Sequence, residues 1–342
     1  MPQIEASHLT KTFRRPLKSE GLAGSLKHLV TRRHTDHHAV RDVNLTISAG
    51  EAVAYVGPNG AGKSTTIKLL TGILVPSSGE VRVGGIVPHR DRIANARQVG
   101  VLFGQRTQLW WDLPVRESLS LLRDMYGLSP TLYRDQLERF DAMLGIGELL
   151  PVVARKLSLG QRVRCDLAAA LLHQPGIVYL DEPTIGLDIA VKDNVRAFLR
   201  ELCAAGTTLM LTTHDLGDIE DVCERIVIID QGSIIYDGSI EAVKDGFAKH
   251  RQLHIQFAAP VALAEVRARL AEAEVEPLGE GGVEFTVRFD RFALTAATVI
   301  TAMLEAGDVA DFRIDEPAIE DVVRRVYAGD LQLAAEAPVG AA

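Results

Sequence analysis

Cysteine is scarce in this 342-residue chain. The three present, Cys165, Cys203 and Cys223, lie far apart and form no CxxC pair. That pattern argues against a disulfide scaffold or a zinc framework and suits a reducing compartment. Basic charge is also in deficit: 37 Lys and Arg face 45 Asp and Glu, a formal net charge of −8. Broad nucleic-acid binding, which wants a basic surface, is therefore disfavoured. No apolar run approaches the roughly 20 residues needed to span a bilayer. The opening Met1-Pro2-Gln3-Ile4-Glu5 does not read as a secretory leader, which needs a basic start and an apolar stretch. If the protein acts at a membrane, a partner is expected to supply the spanning helices.

What is present describes an ordinary globular chain, 47% apolar and 24% charged. Its length suits two domains of about 100–200 residues each. One stretch organises the rest. Gly57-Pro58-Asn59-Gly60-Ala61-Gly62-Lys63-Ser64-Thr65 fits G-x-x-x-x-G-K-[ST], the phosphate-binding P-loop. The apolar Ala52-Val53-Ala54-Tyr55-Val56 before it reads as a buried strand, and Thr66-Ile67-Lys68-Leu69-Leu70 after it as a helix. Glycines let such a loop turn its N–H groups inward on an anion, and the helix N-terminus adds partial positive charge. Lys63 is expected to reach the β- and γ-phosphates, and the Ser64 hydroxyl to bind Mg²⁺.

Along the chain, residues 3–13 read as a strand. Residues 14–38 form a basic insert with six Lys or Arg, two acids and four His. A charge run of this kind is usually a solvated excursion; contact with anionic headgroups or a partner's acidic loop is the sharper alternative. His34, His37 and His38 hint at a metal site, but acidic and thiol ligands are lacking nearby. Strand signals recur at 40–47, 81–83, 99–103, 177–180, 207–211, 226–229 and 234–236, the last two around the turn Gln231-Gly232-Ser233. Between about 116 and 172 the pattern is helical, a small helical subdomain. Strands alternating with helices predict a mostly parallel α/β sheet.

Composition shifts after Gly238. Residues 252–258, 261–273, 274–279, 283–289, 291–306 and 309–314 read in the order β-α-β-β-α-β, the split βαβ or ferredoxin-like pattern. A last helix is expected at about 318–328, and residues 331–342 form an Ala-rich, mobile tail. The expected division is therefore 1–238, 239–330 and the tail.

Four further positions carry chemistry. Asp181 follows four apolar residues, where a carboxylate holds the Mg²⁺ shell. Glu182, beside it, suits a general base for the attacking water. Gln105 and His214 each follow an apolar strand, the edge where α/β sheets place ligands. Gln105 is expected to touch Mg²⁺ or the water, and His214 to hydrogen-bond the γ-phosphate.

Together these residues resemble the ATP-binding cassette (ABC) ATPases over about residues 3–238: Walker A at 57–65, Gln105, a signature at 157–161, Walker B with Glu182, the Gly186-Leu187-Asp188 loop and His214. The resemblance implies a P-loop NTPase cassette with an antiparallel β-subdomain and a helical subdomain, binding ATP and Mg²⁺. It implies that Phe13 stacks on adenine, with a core role for this aromatic as the alternative. It also implies that Ser158, Gly160, Gln161 and Asp188 meet the ATP of a second subunit in a homodimer. The signature carries Leu159 where the family usually has Gly, adding bulk and removing φ freedom. Residues 103–114, 157–162 and 314–321 are similar to a bacterial exporter branch with daunorubicin-resistance-like and sodium-efflux-like members. Such chains energise permeases of about six transmembrane helices from the cytoplasmic face of the inner membrane. Adjacent Trp110 and Trp111 cannot both face one core from a regular strand, so at least one is expected to be exposed at a permease-docking groove, with ordinary subdomain packing as the alternative. A soluble ABC ATPase acting on ribosomes or DNA, or a regulatory nucleotide-binding module, remains the alternative.

Overall fold

The computed structural model describes residues 2–16, 34–104, 107–213, 215–247, 250–270, 272–279 and 281–315. Gln105, His214, residues 17–33 of the basic insert, and the helix and tail expected beyond residue 318 lie outside them. The chain forms two compact units that part after Gly238.

The first unit opens with strand β1 (Pro2–Pro16), which pairs antiparallel with β2 (His34–Ser48). Ile4 opposes Ile47, Ala6 opposes Leu45 and, beyond a register shift, Leu9 opposes Val43, all buried. The ladder continues past the strand expected at 3–13. Arg14 opposes Asp36 and Pro16 opposes His34, so both ends of the basic insert are strand. Continuing the ladder satisfies backbone groups that a solvated excursion would leave to water. Strand β3 (Ala52–Val56) leads into helix α1 (Lys63–Leu70), and β4 (Ser78–Val83) completes a three-stranded sheet of order β2-β1-β4.

Helix α2 (Arg92–Gln98) precedes β5 (Val99–Phe103). The helical subdomain follows as α3 (Val115–Tyr126), α4 (Pro130–Leu144) and α5 (Leu159–Leu171). Ser129 and Ser158 cap the last two, and Gly127 and Gly145 close the first two in left-handed backbone. Then come β6 (Ile177–Asp181), α6 (Ile189–Ala204), β7 (Thr208–Thr212), α7 (Leu216–Val222), β8 (Arg225–Asp230) and β9 (Ser233–Ser239). Gln231 and Gly232 both take positive φ, as a tight hairpin turn requires.

These strands form a six-stranded sheet of order β5-β6-β7-β3-β8-β9. The pairs β5–β6, β6–β7, β7–β3 and β3–β8 are parallel. Strand β7 is buried throughout, as is β6 up to Leu180, which is why they read as unbroken apolar runs. Parallel pairing makes β3, β6 and β7 end on one edge, and their C-terminal residues meet there.

The second unit begins with α8 (Ile240–Phe247) and continues β10 (His250–Phe257), α9 (Leu263–Arg269), β11 (Glu274–Pro277), β12 (Glu284–Asp290), α10 (Ala296–Ala306) and β13 (Val309–Asp315). Its antiparallel sheet has the order β11-β12-β10-β13. Leu253, Ile255 and Phe257 of β10 and Phe285, Val287 and Phe289 of β12 pack with Val266, Val299 and Met303 of the helices.

One ion cluster ties the two sheets of the first unit together. The Arg225 guanidinium bonds both Asp237 oxygens at 2.6 and 2.7 Å, the Glu51 carboxylate at 2.8 Å and the Thr46 carbonyl at 3.0 Å. Removing Arg225 leaves two half-buried carboxylates unpaired. We expect Arg225→Ala to lose about 1–3 kcal/mol of stability, read as a lower urea midpoint at pH 7.

Candidate active site

The P-loop takes its shape from close backbone approaches. A Cβ on Gly57 would strike the Ile229 carbonyl oxygen, and one on Gly62 would strike the Ala39 carbonyl oxygen. Gly62 also caps α1 in left-handed backbone, at φ 112°. The loop is closed by Ala61 N–H donating to the Pro58 carbonyl at 3.1 Å. Gly232 N–H donates to the Ala61 carbonyl at 2.9 Å and anchors the loop to the β8–β9 turn.

A cavity of roughly 370 Å³ opens over this loop. It is lined by Pro58, Asn59, Gly60, Gly62, Lys63, Ser64 and Thr65 together with Phe13, Asp181 and Glu182. Pro58 and Glu182, 124 positions apart in sequence, thus line one cavity, because β3 and β6 end at the same sheet edge. Lys63 is only 8% exposed. Its ammonium donates to the Gly57 carbonyl and, at 3.3 Å, to the Pro58 carbonyl. Burial lowers the Lys63 pKa below the usual amine range, while the charges of Glu182 and Asp181 oppose that shift.

Asp181 accepts from the Ser64 hydroxyl at 3.1 Å on one oxygen and from the Thr212 hydroxyl on the other. Two hard oxygen donors, Ser64 Oγ and Asp181 Oδ2, therefore sit side by side at the cavity floor, a donor set that fits Mg²⁺. Glu182 follows with φ 57°, a left-handed backbone that non-glycine residues rarely adopt and that clusters at functional sites. Its N–H donates to the Thr212 carbonyl at 2.8 Å, which holds that turn against β7.

Ser158, Gly160, Gln161 and Asp188 do not line the cavity. Ser158 caps α5 in a capping box: its hydroxyl accepts from Gln161 N–H at 3.2 Å, and the Gln161 side chain accepts from Ser158 N–H at 2.9 Å. Asp188 caps α6 by accepting from Val191 N–H at 2.9 Å. Leu159 is exposed and lies over Gly186, where an added Cβ would come within 2.6 Å of its Cδ2. Trp110 and Trp111 are both exposed and lie in a loop, so the strand geometry assumed for them does not apply. The Arg162 guanidinium of α5 stands 5.0 Å from the Trp111 ring centroid.

Sequence reasoning missed His37 and Ala39, which line the cavity beside Phe13. His37 pairs directly with Phe13 across β1 and β2. No apolar alternation runs back from Val40 through the charge run in which His37 sits, so the sequence carries no clear signal for either residue. Among the described residues, no group of three or more His, Cys, Asp and Glu is placed to hold a metal ion.

The family model described as ABC transporter matches residues 40–185. The ABC transporter ATP-binding protein NatA of Bacillus subtilis (strain 168) is 33% identical over 205 residues, 60% of this chain and 83% of that protein. The chain belongs to the ABC transporter ATP-binding protein family. This ABC ATPase is also 31% identical to the daunorubicin resistance ATP-binding protein DrrA3 of Streptomyces coeruleorubidus, over 87% of this chain and 94% of that one. Against the probable multidrug ABC transporter ATP-binding protein YbhF of Escherichia coli (strain K12) it is 32% identical over 65% of its length but spans only 38% of YbhF. A solved dimeric ATP-binding cassette bound to ADP and Pi superposes at TM-score 0.58 and 26% identity, over 69% of this chain and 98% of that one. The protein is thus an ATP-binding, ATP-hydrolysing transporter subunit with exporter-type relatives.

The backbone crowding at Gly62 generates a direct test. Gly62→Ala combines a positive φ with a collision at Ala39, so the P-loop must open. ATP affinity, measured with a fluorescent ATP analogue, is expected to fall by about tenfold or more, with the fold retained by circular dichroism.

Proposed function

We propose that this ABC ATPase powers an exporter, two copies closing on two ATP–Mg²⁺ and reopening after hydrolysis to drive separate permease subunits. The observation that carries the reading is the single cavity uniting Phe13, the P-loop, Asp181 and Glu182. In it Phe13 stacks on adenine, Gly57 to Thr65 wrap the phosphates, and Lys63 turns from the loop carbonyls to the β- and γ-oxygens. Ser64 and Asp181, with Gln105, hold Mg²⁺, which supplies positive charge at the phosphate oxygens. Glu182 orients and deprotonates the attacking water, and His214 steadies the γ-phosphate.

Ser158, Gly160, Gln161 and Asp188 act on the partner copy's nucleotide. Their absence from this chain's own cavity is consistent with action in trans. The α5 N-terminus offers N–H groups to that γ-phosphate. Export, permeases of about six transmembrane helices and a place on the cytoplasmic face of the inner membrane are parts of this proposal, and the exporter-type relatives support it. One of them is the Nod factor export ATP-binding protein I of Paraburkholderia xenovorans (strain LB400), 33% identical over 71% of this chain and 80% of that protein. Among the described residues no helix is long and apolar enough to cross a membrane. The second unit, read as a ferredoxin-like domain from its element and strand order, stabilises or regulates the dimer.

Glu182→Gln should bind ATP, stop turnover and accumulate as an ATP-loaded dimer by size-exclusion chromatography; an unchanged hydrolysis rate refutes the assigned base. Co-purification of the tagged protein in mild detergent from its own cells should recover a membrane permease in near-equal amount. Recovery of ribosomes or DNA-repair proteins instead supports a soluble ABC ATPase. Trp111→Ala removes an exposed anchor that also rests on Arg162 of the signature helix. With permease in proteoliposomes we expect basal hydrolysis to survive and the permease-stimulated increment to disappear.

A further inference from the structure

Asp218 is a carboxylate only 1% exposed, in α7, outside the cavity. Burying such a charge is costly unless every oxygen is bonded. Here both are. Oδ1 accepts from Arg196 Nε at 2.7 Å. Oδ2 accepts from two hydroxyls, Thr213 at 3.0 Å and Thr184.

The three donors come from three different segments. Thr184 lies two residues beyond Glu182, in the loop that runs on to Asp188. Thr213 is the first residue after β7 and immediately precedes position 214. Arg196 lies on α6, the helix that Asp188 caps. Both hydroxyls are buried, Thr184 at 2% and Thr213 at 1% exposure.

A second carboxylate closes the cluster. Asp215 accepts from Arg196 at 3.0 Å and from Lys192, also on α6. It also accepts from Gly217 N–H at 3.1 Å, and its own N–H donates to Thr213 Oγ1 at 3.0 Å. Thus Thr213 is held by Asp218 of α7, and Asp215 by Arg196 and Lys192 of α6.

Stability alone does not call for this arrangement. Well-packed apolar side chains generally serve a buried site as well as a buried ion pair. What a fully bonded polar cluster adds is a fixed distance between the segments it joins. We propose that Asp218, held by Arg196, is a positioning hub. It sets the turn carrying Glu182 against the segment preceding position 214 and ties both to the helix that Asp188 opens. The proposal rests on the reading of Glu182 as the base. The hub touches no nucleotide: it acts on the rate of the hydrolytic step and leaves ATP binding to the P-loop.

The test uses the full chain and variants that remove one hydroxyl without changing volume. Thr184→Val and Thr213→Val should each lower kcat by about five- to tenfold while KM for ATP and affinity for a fluorescent ATP analogue stay within about twofold. Because the two hydroxyls share one carboxylate oxygen, the double variant should lose less than the product of the two single losses. Thr184→Ser, which keeps the hydroxyl and drops the methyl, should turn over close to wild type. The proposal is overturned if both valine variants hydrolyse ATP normally, or if Thr184→Ser falls as far as Thr184→Val, which would make packing the whole role. An apolar pair, Arg196→Met with Asp218→Leu, checks the same point where single changes at the hub unfold the chain. Wild-type turnover in a folded pair overturns the proposal, whereas slow turnover with normal ATP affinity supports it. Glu182→Gln runs alongside as the control. If it hydrolyses at the wild-type rate, the base assignment fails on its own, separately from any result at Thr184 and Thr213.

Discussion

Asp181 spends both carboxylate oxygens on hydroxyls from neighbouring elements, Ser64 at the start of α1 and Thr212 at the end of β7. Much else in the first unit follows from that pair of bonds. They require β3, β6 and β7 to end on one level, which parallel pairing with the observed register provides. They place the first turn of the P-loop helix against the strand that carries Glu182. Glu182 does not continue β6: its backbone turns left-handed and its N–H donates to the Thr212 carbonyl. A polar edge of this kind can sit on a buried sheet only because each group in it has a partner.

The three-stranded sheet supplies the other wall, and its role depends on register. Phe13 reaches the cavity from β1, and directly across the ladder His37 reaches it from β2. A slip of one residue would turn both side chains to the opposite face. Buried pairs further along, Ile4 with Ile47 and Ala6 with Leu45, are separated from the Phe13–His37 pair by register shifts between Ala6 and Leu9, Leu9 and Lys11, and Lys11 and Thr12. What lines the cavity from this side is therefore set by the pairing local to Phe13 and His37.

Parallel strands were legible because burial on both faces leaves continuous apolar runs, as in Ile177 to Leu180 and Thr208 to Leu211. The P-loop, Asp181 and Glu182, which line one cavity, were legible because they stand as motifs, particular residue types at fixed spacing after apolar strands. Strand ends were less so: Arg14 to Pro16 and His34 to His38 read as a charged excursion because exposed ladder residues carry no apolar alternation. Trp110 and Trp111 defeated a strand-based argument because a loop obeys no two-residue period. The Asp218 cluster was invisible for a different reason. Thr184, Arg196, Thr213 and Asp218 have no fixed spacing, and only the fold, which brings two loops and two helices to one carboxylate, puts them together.

Leu159 and Gly186 carry a consequence for how this chain can vary. The leucine side chain occupies the space that the missing side chain at Gly186 leaves open, and Gly186 itself sits at φ 70°. Neither position is free of the other. A chain with a side chain at 186 must first give up the bulk at 159, while a glycine at 159 empties the seat and relaxes the demand on 186. In a lineage or a combinatorial library the two sites should drift as a linked pair. The odd third letter of the signature is thus half of a two-residue covenant between loops that the sequence holds 27 positions apart.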